Sequence, residues 1–185
     1  MSDTLPPWPQ VPACYGWLSL DGRGRWRLKA ETITHPGLIA FLNAHYTTDD
    51  DGCWFVNNGP QRVYVQLDSA PWILRLQPDG GFVTHAGRPA AIEGPIYLDG
   101  EGRVFMRTDA GPAALDDRDL AMLIAELRDA AERPADDASL AALLDGRDTG
   151  LNWHGQALVF LGNEAAATRL GFIADPCPPE PAPGA

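Results

Sequence analysis

Leu20-Asp21-Gly22-Arg23-Gly24-Arg25 returns later in the chain as Leu98-Asp99-Gly100-Glu101-Gly102-Arg103, with one position changed. Asp-Gly pairs followed by a second glycine suit tight reversals, because glycine adopts positive φ without a side-chain clash. Each copy is flanked by short alternating segments. Tyr15-Gly16-Trp17-Leu18-Ser19-Leu20 and Arg25-Trp26-Arg27-Leu28-Lys29 surround the first, and Pro95-Ile96-Tyr97-Leu98 and Arg103-Val104-Phe105-Met106-Arg107 the second. Both sites therefore read as β-hairpins. Two origins fit the echo. One is an old duplication, giving similar hairpin–helix halves at 13–90 and 91–174. The other is convergence on a low-strain turn.

More strands are expected at Cys53–Val56, Arg62–Leu67, Trp72–Leu76 and Phe82–His85, separated by Gly, Pro and Asp. Such spacing implies an antiparallel meander. Helices are expected from Pro36 to Tyr46, where proline suits the first turn, over 118–132, and from about Asp136 to Asp145 with Leu140, Leu143 and Leu144 inward. A hairpin over 152–161 and a short helix over 164–170 close the chain. The fold class is α+β: antiparallel hairpins with helices packed on one side, in a single unit spanning 13–174. Proline-rich segments at 1–12 and 175–185 are expected to be disordered, although Trp8 has the bulk to pin the first of them.

Several functions are disfavoured. The net charge of −11 repels a phosphate backbone, so nucleic acid is not an expected partner unless a local arginine patch defeats that average. Lys29 is the only lysine, and every other cation is arginine. With the high alanine, glycine and proline content, this suggests a GC-rich bacterial genome. No segment approaches the roughly 20 apolar residues of a membrane span, and no secretory signal precedes the first strand. The expected compartment is the cytoplasm. Cys14, Cys53 and Cys177 are too scattered for a CxxC pair, and an odd count argues against a disulfide framework. Asp49-Asp50-Asp51-Gly52 lacks the carboxylate that a calcium loop needs at its twelfth position, here Pro60, and reads as a solvated turn. No metal, nucleotide or other cofactor is expected, because the motifs that hold them are missing.

His85 and His154 stand near strand ends, where function concentrates, whereas His35 suits a helix cap and His45 a helix C-terminus. The six tryptophans allow two readings. They fill a core between short strands, or some line a ligand groove or partner surface. On the second reading the candidate binding residues are Trp26, Trp54, Trp72, His85, Trp153 and His154.

The order of motifs Asp21-Gly22-Arg23-Gly24-Arg25-Trp26, Pro36 to Tyr46, Asp51-Gly52-Cys53-Trp54 and Asp68-Ser69-Ala70-Pro71-Trp72 resembles a family of uncharacterised bacterial proteins, a domain of unknown function. The resemblance implies a fold and no activity. The expected function is therefore a non-catalytic binding or protein-interaction module, with an unknown protein or small molecule as ligand and a homodimer as one possible state. The alternative is a small enzyme with an unrecognised site around His85 or His154.

Overall fold

The computed structural model describes residues 11–179. The disorder expected of the two ends, and the role considered for Trp8, fall mostly or wholly outside them. Among the described residues fourteen strands form two sheets with a minority of short helices, an α+β fold. The first sheet contains β1 (Ala13–Leu20), β2 (Trp26–Leu28), β3 (Glu31–Thr32), β4 (Tyr46–Thr48), β5 (Trp54–Asn58) and β6 (Gln61–Leu67), in the order β3-β2-β1-β6-β5-β4. The second contains β7 (Trp72–Leu76), β8 (Phe82–Thr84), β9 (Pro89–Ala90), β10 (Ile92–Leu98), β11 (Val104–Thr108), β12 (Gly111–Leu115), β13 (Asn152–Trp153) and β14 (Gln156–Phe160), in the order β13-β14-β10-β11-β12-β7-β8-β9. Helices α1 (Pro36–His45), α2 (Leu120–Ala125), α3 (Asp137–Leu144) and α4 (Ala166–Leu170) lie in the connections. One hydrophobic cluster takes side chains from both sheets.

The turn singled out in the sequence is a general device of this chain. Its first residue donates its N–H to the carbonyl of the fifth and accepts from the N–H of the fourth. That pattern occurs at 21–25, 49–53, 77–81, 84–88, 99–103 and 129–133. The fourth residue has positive φ each time: Gly24, Gly52, Gly80, Gly87, Gly102 and Glu132. In the four turns that open with aspartate, Oδ1 also accepts the N–H groups of the third and fifth residues. Where the fifth residue is Arg25, Arg103 or Arg133, its Nε donates to the other carboxylate oxygen. The triple aspartate is thus a turn in which Asp49 holds the N–H groups of Asp51 and Cys53.

Pairing by hairpins alone is corrected by three parallel contacts. β1 lies beside β6, β7 beside β12, and β10 beside β14. Parallel partners need a long connection, so neighbouring segments in the sequence do not reveal them. Each contact ends alike, with the next N–H past one strand bonding the carbonyl of the last paired residue of the other: Asp68 to Leu20, Asp116 to Leu74 and Leu161 to Leu98. Asp21, Asp68 and Asp116 are thereby set just beyond the carboxyl ends of paired strands.

Two helical expectations also change. The helix expected over 118–132 is a 3-10 turn at Asp117–Asp119 followed by α2, which stops at Ala125. Arg128 instead exchanges both backbone bonds with Asn152, and Asp129 opens a turn that ends at Arg133. In α3 the Asp136 cap and Ser139 form a capping box, but Leu144 is half exposed and only Leu143 is buried. Strand β12 was not visible in Gly111-Pro112-Ala113-Ala114-Leu115, which has no β-branched residue to mark it. Its last four residues are buried.

Candidate functional site

The aromatic candidates meet, but inside the protein. Trp26, Trp54 and Trp72 are 2%, 5% and 3% exposed and surround Tyr46. Its ring centroid lies 5.1, 5.0 and 5.3 Å from theirs. The Trp26 indole N–H donates to Asn43 Oδ1 and that of Trp72 to the Ala110 carbonyl, so both polar edges are satisfied internally. Trp153 is also buried, against Phe82, and donates to Glu126 Oε2. Of the two readings of the tryptophans, core filling describes these four. Trp17 is half-buried, with Lys Nζ of residue 29 standing 3.6 Å above its ring.

His85 borders the aromatic cluster, 5.3 Å from the Trp72 ring and 5.9 Å from Trp26. Its Nδ1 accepts the Ile73 N–H, which assigns the neutral ring's proton to Nε2. That nitrogen is sealed from solvent and has no partner among the described residues; the Tyr46 hydroxyl is the same. Burial pushes the His85 pKa down to about 4, against an opposing pull from the Asp21 charge. Its folded pKa is thus below the ordinary 6.5, so the unfolded chain binds more protons between those values. Stability contributed by neutral His85 is complete above 6.5 and lost as pH falls toward 4. Over this window the loss is expected to approach about 3 kcal/mol. Urea titrations at several pH values check it: His85→Gln should flatten the slope between pH 6.5 and 4. An unchanged slope would remove the assignment.

His154 does meet a carboxylate, with Nε2 3.1 Å from Glu126 Oε2. The pair is open to water, at 59% and 38% side-chain exposure. A trough of about 680 Å³ lies nearby, between α3 and β14, but neither member of the pair lines it. His85 has the opposite arrangement, enclosure without a carboxylate. An acid–base site needs enclosure and a partner together, and the two histidines divide those properties. No group of three or more metal-ligating side chains is found among the described residues, and no helix there is long and apolar enough to cross a membrane.

A different constellation stands at the carboxyl ends of the paired strands. A groove of about 360 Å³ is lined by Arg23, Arg25, Arg27 and Arg103, with Asp68, Ser69 and Asp117. Its organising residue is Asp21, buried beneath the first turn. Asp21 Oδ2 accepts from Arg25 Nε at 2.7 Å and from Arg27 Nη2 at 3.2 Å. Arg27 Nη1 reaches Asp68 at 2.8 Å. Arg23 makes a two-pronged bond to Asp117, linking the first turn to the segment after β12. Arg103 comes from the matching turn of the second sheet, held by Asp99 Oδ2 at 2.8 Å. Arg25 differs from the others. Its orientation is fixed through Nε alone, and its two terminal nitrogens have no partner among the described residues.

Around this groove four guanidiniums face three carboxylates, one of them buried, in a chain whose overall charge is −11. An oriented guanidinium with free parallel donors fits a carboxylate or phosphate. Sequence reasoning missed it because the anchors of Arg23 and Arg27 are 94 and 41 positions away. One local signal existed. Arg25 and Arg27 alternate on one strand face, with Arg23 two residues earlier.

A family model described as "Protein of unknown function (DUF2946)" matches residues 1–177. No curated protein matches the chain. Among solved structures the chain is similar to a DUF1285 family protein from Silicibacter pomeroyi DSS-3, at 18% identity and a TM-score of 0.49, covering 63% of this chain and 71% of that one. It is also similar to a DUF1285 family protein from Shewanella baltica OS155, at 18% identity and a TM-score of 0.42, covering 56% of this chain and 87% of that one.

Proposed function

We propose a binding role for this chain, which belongs to the DUF2946 family of proteins of unknown function. It is a cytoplasmic, non-catalytic module that takes an anionic group in the arginine groove. The observation that carries this reading is Arg25: oriented by a buried carboxylate through Nε, yet with its terminal donors unpaired among the described residues. The core tryptophans then have a supporting task, since the strands they hold together place the first turn.

Calorimetric titration with acetate and with inorganic phosphate tests the reading. Both should bind weakly, and Arg25→Gln should weaken binding about tenfold, the equivalent of one good charge-assisted bond. Arg147→Gln is the control, because that exposed arginine pairs with Asp145 away from the groove. No heat with either anion, or equal losses in the two variants, would refute the assignment.

A further inference from the structure

Past α4 the chain is laced to the first sheet beside a cysteine. Ile173 lies next to Cys53 in parallel register, and its N–H donates to the Gly52 carbonyl at 2.9 Å. The Ala174 carbonyl accepts the Leu67 N–H at the end of β6, and Asp175 Oδ1 accepts from Gln66 Nε2, both at 2.8 Å. Gly52 lets the two backbones meet, since a Cβ there would stand 2.8 Å from the Gly171 carbonyl oxygen. The segment is thus held between the Asp49 turn and β6. Residues paired across neighbouring strands point to the same face, so Cys53 and Ile173 share one side of the sheet. Cys177 follows Ile173 by four residues, a stretch of at most roughly 14 Å when fully extended. It is not extended. The chain bends at Ala174 and Asp175, and the Cys177 thiol turns back to donate to the Asp175 carbonyl at 3.5 Å.

Both thiols are free, Cys177 exposed and Cys53 half-buried, whereas Cys14 is enclosed in the core. Burial pushes the Cys53 thiol up, and the charges of Asp49, Asp51 and Cys177 add to the push. The Cys177 sulfur is therefore near enough to be felt at Cys53. A disulfide needs Cα atoms about 4.4–6.8 Å apart. Cys177 and the two prolines after it are exposed, so the backbone there can adjust without disturbing the core. We propose that Cys53 and Cys177 are a redox modification site, joined by peroxide into a reversible disulfide that clasps the carboxy-terminal segment to the Asp49 turn. The exposed Cys177 thiolate attacks one oxygen of hydrogen peroxide. The O–O bond breaks, hydroxide departs and takes a proton as water, and a sulfenic acid remains. The Cys53 thiolate then attacks that sulfur, forming S–S and breaking S–O, and the second hydroxide leaves as water. Two thiols and one peroxide give one disulfide and two waters. A thiol such as glutathione returns the two electrons by exchange. The odd cysteine count fits such a switchable bond, because the pairing of Ile173 with Cys53 already exists in the reduced chain.

The test treats the full chain with hydrogen peroxide, then counts thiols in urea and digests the protein with trypsin without reductant. Cys14, Cys53 and Cys177 fall in separate tryptic peptides, 1–23, 30–62 and 170–185, so mass spectrometry reads the pairing directly. The thiol count should fall from three to one, and 30–62 should be joined to 170–185. Dithiothreitol should restore all three thiols. Cys177→Ser, at an exposed position, should form no cross-link. Urea denaturation gives a second readout. The bond closes a loop that holds every strand from β5 onward, so oxidation should raise the midpoint of the native chain and leave that of Cys177→Ser unchanged. A bond to Cys14, a bond between two chains on a non-reducing gel, or Cys177 oxidised with no cross-link to Cys53 would overturn the proposal.

Discussion

Gly24→Ala is expected to cost about 3–5 kcal/mol of folding stability, the sum of a left-handed backbone penalty and a core overlap. Gly24 has φ of +75°, and a Cβ built there would lie 2.3 Å from the Cβ of His85. No rotamer relieves that contact, because both atoms are fixed by backbone. Gly102 holds the same place in the matching turn, with φ of +78°, yet a Cβ there meets nothing within 4 Å. Gly102→Ala should therefore show the backbone penalty alone, about 1 kcal/mol. Glu132 shows that this position accepts a side chain when it points outward, at φ of 61°. Urea denaturation of the two variants separates the terms. Similar midpoints would mean that the close approach to His85 is not a constraint.

That pair of glycines also marks where the sequence was readable and where it was not. The turn was legible, since aspartate, glycine and arginine act within five residues of one another. Strands β1, β6 and β7 were legible for the same reason: alternation and turn residues are local. What Gly24 packs against was not. His85 reaches it from the turn that follows β8 in the other sheet, and no spacing within either segment announces the contact. The parallel partners belong to the same class, as does β12, whose alanines act by being small in a crowded place. The tryptophans were readable as large aromatics but not as to which side of them would be covered. Burial depends on the second sheet, and Tyr46, which joins three of them, opens β4 directly after α1.

The candidate site follows a similar rule. Turn chemistry is assigned to Asp21 through Gly24 and the return strand to Arg25 onward; in the structure Arg25 closes the turn and the strand starts at Trp26. That chemistry also gives Asp21 and Arg25 a second property. A carboxylate occupied by two backbone N–H groups cannot turn away, so the arginine it holds is fixed in direction. The groove therefore arises from a folding device used several times in the chain. It differs from the other copies because Asp21 also accepts from Arg27, and because the arginine of a second such turn lines the same groove.

Asp21→Asn should expose this dependence, with a loss of about 2–3 kcal/mol. Asn can keep the acceptor for the N–H groups of Arg23 and Arg25, but it places an amide donor where Arg25 Nε and Arg27 Nη2 now find oxygen. The estimate lies below that for a sealed ion pair, because the Arg25 and Arg27 side chains keep 57% and 28% of their exposure. Asp129→Asn is the comparison. It changes the same turn, but Arg133 is 77% exposed, so a distinctly smaller loss is expected. Acid behaviour gives an independent check. Burial opposes ionisation of Asp21, yet the N–H groups of Arg25 and Arg23 and the Arg25 guanidinium outweigh it and hold its pKa below 3.8. Its stabilisation is present above that value and lost as pH falls through the lower folded one. The His85 loss comes earlier, between 6.5 and about 4, and the two are coupled because the Asp21 charge raises the His85 pKa. Asp21→Asn should thus remove the deeper acid step and move the His85 titration still lower. Imidazole NMR signals read that shift directly; a His85 titration unmoved by the loss of the carboxylate would break the link between turn and core.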